Sequence, residues 1–166
     1  MTGQPSGGNC GEEFRPEEMF AALAQGGVDY VTVGGFALIA HGVVRATLDV
    51  DIIPEGSSEN LVRLAGAIMA LGGVPHGEPG TKVSAELLAR DANMRFDTRV
   101  GQLDVLCSAA YRRMYADLRA RSATETVDGV PLIVVSRNDL VRLKAASGRD
   151  RDLLDIGDLL ALEEPG

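Results

Sequence analysis

The chain has 166 residues, 45 % of them apolar and 24 % charged, with a net charge of −8 from 16 basic and 24 acidic side chains. This is the make-up of one ordinary folded domain, and it excludes a wholly disordered chain, a collagen-like repeat and a coiled coil. The acid excess also argues against a protein that holds long nucleic acid by non-specific phosphate attraction.

Residues 1–11 are rich in Gly, Ser and Asn with little to bury, and read as a disordered tail; residues 12–166 then form a single domain. Pro16 opens a helix with Glu17 and Glu18 in its first turn; Phe20, Leu23 and Ala24 are its apolar face and Gly26-Gly27 its end. Tyr30 to Val33 is a β-branched strand that halts at Gly34-Gly35, and Phe36 to His41 a short apolar helix stopped by Gly42. Residues 47–53 read as a second strand, closed by Pro54. Ser57 or Ser58 caps a helix whose apolar positions (Leu61, Leu64, Ala65, Ile68, Met69, Leu71) keep helical spacing. A Gly/Pro-rich loop at 73–80 precedes a helical piece at 85–90.

Two strands follow, Met94–Thr98 and Leu103–Cys107, joined in a hairpin by a turn containing Gly101. Residues 109–121 are helical. Asp128-Gly129 turns a second hairpin that ends in Leu132–Val135. Ser136 caps a helix that reaches Ala146 and stops at Gly148. The last helix, 150–162, is expected to turn Leu153, Leu154, Ile156, Leu159 and Leu160 inward. Strands and helices do not alternate regularly, so the fold class is α+β, a small mixed sheet packed by helices.

No apolar run approaches the roughly 20 residues of a membrane-spanning helix. The opening residues have neither the basic start nor the apolar stretch of a signal peptide, so a cytoplasmic protein is expected. Cys10 and Cys107 make neither a disulfide framework nor a zinc site, and His41 and His76 are too few for a His-based metal centre. Any metal would be held by carboxylates, which suits Mg2+ or Mn2+.

Chemistry concentrates in Val33-Gly34-Gly35, thirteen intervening residues, and Asp49-Val50-Asp51-Ile52. Asp49 and Asp51, two apart in a strand, leave the same face and repel unless a cation joins them. A glycine pair between strand and helix lets the backbone approach a ligand closely and presents free N–H groups to phosphate. Phosphate seat and metal carboxylates together describe a nucleoside triphosphate bound through its metal. Asp104 interrupts the apolar strand Leu103-Asp104-Val105-Leu106; if that strand lies beside the first, three acids converge. The competing account, solvent-facing acids on an edge strand, is opposed by the apolar flanks Leu48, Val50, Ile52 and Ile53.

These residues resemble the signature of the polymerase-beta-like nucleotidyltransferase superfamily. Val33-Gly34-Gly35-Phe36-Ala37, His41-Gly42, Arg45, Thr47, Asp49 and Asp51 are similar to its small bacterial branch related to AbiEii-type toxins, as are Asp139-Leu140, Lys144, Arg149, Asp152 and Asp155-Ile156. Gly35 stands where many relatives have Ser, which leaves the phosphates to backbone N–H groups. The resemblance implies transfer of a nucleoside monophosphate from an NTP to a hydroxyl (an RNA 3′ end, a protein or a small molecule), with pyrophosphate released. It implies Asp49, Asp51 and Asp104 as metal and catalytic carboxylates. Gly34, Gly35, Arg45 and Lys144 would bind the triphosphate, Lys144 as a compact positive charge. The partners implied are the NTP, a hydroxyl acceptor and a cognate antitoxin-like protein. The second reading is a catalytically silent member that binds nucleotide or a partner, which the presence of all three acids opposes.

Overall fold

The structure, a computed structural model, describes residues 13–162. The expected tail at 1–11, with Cys10, lies outside the described residues. Helix α1 (Pro16–Gln25) starts as its Pro and acids predict, and buries Met19, Phe20 and Leu23. Ala24 faces solvent instead, because Met19 and Leu23, four apart, carry the inner stripe. Strand β1 (Tyr30–Val33) is buried on both faces and passes straight into helix α2 (Gly34–Ala40). His41 closes that helix, and its Nε2 lies 2.8 Å from the Val135 carbonyl oxygen, the helix-end role expected of it.

Strand β2 (Asp49–Pro54) begins two residues later than predicted. Helix α3 (Ser58–Ala70) is capped by the Ser57 side chain, which accepts from the Asn60 N–H. Leu61, Leu64, Ala65 and Ile68 are its buried stripe, each large aliphatic group adding about 1.5–3 kcal/mol of burial, while Met69 is exposed. A two-residue strand β3 (Val74–Pro75), too short to give a sequence pattern, and the single helical turn α4 (Ala85–Leu88) lead to the first hairpin. That hairpin is β4 (Met94–Thr98) and β5 (Gly101–Val105). Helix α5 (Ala109–Arg121) packs against β1 and β2. The second hairpin, β6 (Ala123–Val127) and β7 (Val130–Val134), turns at Asp128 and Gly129, both with positive φ as an Asp-Gly turn requires.

Helix α6 (Arg137–Ser147) is capped by Ser136 and ends at Gly148 in the left-handed conformation, as predicted. Helix α7 (Asp150–Ala161) corrects the sequence expectation. Its buried residues are Asp152, Asp155 and Leu159, whereas Leu153, Leu154 and Leu160 face solvent and Leu154 is 71 % exposed. The helix is turned by buried charge: cations beneath it need anionic partners, and an unpaired buried charge costs more than leaving leucines wet.

The seven strands form one mixed sheet in the order β3-β4-β5-β2-β1-β7-β6. β2 is antiparallel to β1 but parallel to β5, and β1 is parallel to β7. The α+β class and mixed sheet are therefore as expected. In β2, β4 and β5 the apolar residues Val50, Ile52, Phe96, Leu103 and Val105 are buried, and the polar ones between them stand on the opposite face. No described helix is long and apolar enough to cross a membrane.

Candidate active site

The polar face of that three-strand stretch holds the predicted acids. Asp49 and Asp51 alternate with buried Val50 and Ile52 along β2, so both leave the same face. Parallel pairing sets Asp51 directly opposite Asp104 on β5. One carboxylate oxygen from each of Asp49, Asp51 and Asp104 can be chosen so that all lie within 4.8 Å of one another.

Such crowding has a measurable cost. Burial, with the Asp49 and Asp104 carboxylates beside it, pushes the Asp51 carboxyl up to about 8, despite the opposing charge of Arg95. The ionised form of Asp51 is thus the one a bound cation would favour. Three hard oxygen donors with an excess of negative charge fit Mg2+ or Mn2+, and the set lacks the thiolates and imidazoles that zinc favours.

The glycine pair is built into the same corner. Val33, the last residue of β1, is paired with Asp51, and the chain then turns at Gly34 with φ +69°. A Cβ on Gly34 would collide with the Asp51 carboxylate, so glycine here makes room for that acid as well as for the turn. At Gly35 a Cβ would lie 2.6 Å from Thr47 Oγ1. The Thr47 hydroxyl occupies the space a side chain at 35 would take, and donates to the Asp49 carbonyl at 3.1 Å.

Sequence reasoning missed Arg95. It stands on β4 opposite Asp104 and on the same face, where its guanidinium donates to Asp104 at 2.7 and 2.9 Å and to Asp49 at 3.3 Å. The signal was present in the hairpin: a two-residue turn at 99–100 pairs Thr98 with Gly101, and counting back sets Arg95 against Asp104.

Lys144 and Arg45 meet elsewhere. Lys144 Nζ donates to Asp155 at 2.9 Å and lies 3.6 Å from Asp152, with its side chain 11 % exposed. Arg45, from the loop between α2 and β2, pairs with the other oxygen of Asp155. Arg149 donates to Asp152 at 2.9 Å, and that bond raises its pKa. Arg137 and Arg142 of the same basic run are engaged with the Leu159 carbonyl and with Asp139. Cys107 is a buried thiol donating to the Ala92 carbonyl, its pKa raised by burial, and carries no chemistry here.

Carboxylates on paired parallel strands, beside a glycine turn from strand to helix, place the chain in the nucleotidyltransferase class that the sequence resembles. Residues 17–163 match the family described as "Nucleotidyltransferase of unknown function (DUF6036)", and the chain belongs to that family. In fold it is similar to the antibiotic-resistance factor ANT(2'')-Ia, with a TM-score of 0.63 at 16 % identity, over 90 % of this chain and 82 % of that one. The lincomycin-bound lincosamide antibiotic adenylyltransferase LnuA gives 0.59 at 14 % identity, over 89 % and 97 %. A putative nucleotidyltransferase from Thermotoga maritima gives 0.57 at 13 %, over 90 % and 96 %. No curated protein matches the chain.

Proposed function

We propose that this nucleotidyltransferase moves a nucleoside monophosphate from an NTP, bound with Mg2+ or Mn2+, to the hydroxyl of an acceptor. The observation that carries the reading is the gathering of Asp49, Asp51 and Asp104, from two strands, within 4.8 Å beside Gly34. The acceptor oxygen forms a bond to the α-phosphorus, the bond from that phosphorus to the β-bridging oxygen breaks, and pyrophosphate leaves. Asp49 and Asp51 would hold the metal, with Asp104 completing its shell or taking the acceptor's proton. The metal, when bound, supplies charge neutralisation on the phosphates and a lowered pKa at an oxygen it binds. Backbone N–H groups at Gly34 and Gly35 would hold the phosphates, and Lys144 and Arg45, paired with Asp155, would add positive charge from the loop and helix side.

The net charge of −8 favours a small or cationic acceptor over long nucleic acid. Structures of ANT(2'')-Ia with adenylyl-2''-tobramycin and of LnuA with lincomycin, similar to this chain in fold, support a small polyhydroxylated acceptor. An RNA 3′ end or a protein hydroxyl, the acceptors of a toxin-like member of a toxin–antitoxin pair, are the other arms of the test. A cytoplasmic location goes with NTP supply.

The experiment is incubation with each α-labelled NTP, Mg2+ and three acceptor sets: aminoglycoside and lincosamide antibiotics, RNA, and protein. Label transfer with stoichiometric pyrophosphate, lost in Asp49→Ala, is the expected result. Nucleotide binding without turnover on any acceptor would instead support the silent partner-binding member, and an unchanged rate in Asp49→Ala would remove the site.

A further inference from the structure

The guanidinium of Arg95 lies on the oxygens that the proposed metal needs. Its Nε and Nη2 form a two-pronged contact with the two oxygens of Asp104, at 2.7 and 2.9 Å. The same Nη2 reaches Asp49 at 3.3 Å, and Nη1 donates to Gln102 Oε1 at 3.2 Å. Behind it, Gln102 donates to Asp97 at 3.0 Å and His76 Nδ1 lies 2.9 Å from the same carboxylate. A file of polar side chains across β5 and β4 to His76 thus braces the guanidinium over two of the three acids. None of its hydrogen bonds reaches the third, Asp51.

A planar fork bonded to both oxygens of Asp104 takes up one in-plane lone pair on each, half of those the carboxylate offers a metal. A divalent ion and a guanidinium on the same two carboxylates also repel each other at close range. The two cations therefore compete. The fork has somewhere to go: the Arg95 side chain is 41 % exposed and sits on a flexible stem, in contrast to Lys144, which is 11 % exposed and held by two acids.

We infer that Arg95 is a resident placeholder cation, seated on Asp104 and Asp49 while the metal is absent and exchanged for the divalent ion on loading. The inference rests on the metal reading above and concerns the step before turnover. In the metal-free protein Arg95 offsets part of the repulsion among the three carboxylates; it also lowers the affinity of the centre for free metal. Once displaced, the guanidinium stays tethered at the rim of the site as an unpaired positive charge.

The test is Mn2+ binding to the full chain without nucleotide, followed by the electron paramagnetic resonance signal of free Mn2+, in wild type, Arg95→Gln, Arg95→Lys and Asp51→Asn. Arg95→Gln removes the charge and should bind Mn2+ about tenfold more tightly, the scale of one close charge pair at a partly exposed site. Arg95→Lys keeps the charge but loses the two-pronged hold, and should also bind more tightly than wild type. Both variants should melt lower than wild type in chelator and recover with Mn2+. Equal Mn2+ affinity in wild type and Arg95→Lys would overturn the exchange, since a purely through-space effect of charge would leave that pair alike. Affinity in Arg95→Gln equal to or weaker than wild type would overturn it too, should Arg95→Lys fail to fold. Mn2+ binding unchanged by Asp51→Asn, or absent from every protein, would instead overturn the metal site itself and this inference with it.

Discussion

Two groups of charge solve opposite problems. On the sheet, three carboxylates (Asp49, Asp51, Asp104) face one guanidinium, Arg95. Between α6, α7 and the loop before β2, two carboxylates (Asp152, Asp155) face three cations, Arg45, Lys144 and Arg149. The same residue type responds in opposite directions. Asp51 is pushed up to about 8 by burial and by its acidic neighbours. For Asp152 burial also pulls upward, but the bond from Arg149, helped by Ser147 and Lys144, outweighs it and holds the carboxyl below its usual value. Where cations answer every acid the pairs hold elements together; where acids are left in excess the arrangement suits a cation.

The contrast can be broken by removing one acid from each side. Asp51→Asn should lower turnover by about 10³-fold or more, the loss expected when a group acting on the transition-state charge is removed. It should leave the fold intact, as far-UV circular dichroism would show. Asp155→Ala should act on stability first. It strands Lys144 and Arg45 under α7, at a cost of about 3 kcal/mol, readable as a lowered urea midpoint. If Asp155→Ala abolished turnover at unchanged stability, Lys144 and Arg45 would act on the phosphates alone, with no part in holding α7.

Gly34→Ala tests the corner where backbone and carboxylate meet. A positive φ and the collision with Asp51 should together cost about 2 kcal/mol and reduce metal binding, because the displaced side chain is a proposed ligand. Gly66→Ala, inside α3 with open space around it, is the control that should raise stability by about 0.5–1 kcal/mol and leave metal binding unchanged.

The comparison also sharpens through pH. The folded-state pKa of Asp51, about 8, lies above its ordinary 3.8, so the folded protein binds that proton more tightly than the unfolded chain. Its contribution is complete below pH 3.8 and is lost as pH rises toward 8. In chelator, the advantage of Asp51→Asn over wild type should therefore grow steadily between pH 5 and 8. Saturating Mn2+ should shrink the gap by favouring the ionised carboxylate of the wild type. Thermal melts across that range check both signs.

The corner with the three acids was legible in the sequence because its signals are local. Alternation marks Asp49 and Asp51 against Val50 and Ile52, glycine marks the turn, and Asp104 is a single acid in an apolar strand. What escaped depends on register or on long-range charge. Arg95 acquires its role only when β4 pairs with β5, and one residue of slip would send it to the other face. Helix α7 was misread because its leucines outnumber its inward acids, yet Arg45 and Lys144, distant in sequence, decide which side is buried. The Thr47 hydroxyl above Gly35 is likewise a contact across the loop between α2 and β2 that spacing does not encode.

The central claim is that Asp49, Asp51 and Asp104 form one divalent-cation site. Its most direct test is an anomalous difference map from crystals of the full chain grown with Mn2+. A peak about 2.0–2.3 Å from oxygens of at least two of these carboxylates, with the Arg95 guanidinium moved off Asp104, is the predicted result. Saturating Mn2+ with no peak there, and Arg95 still seated, would contradict it.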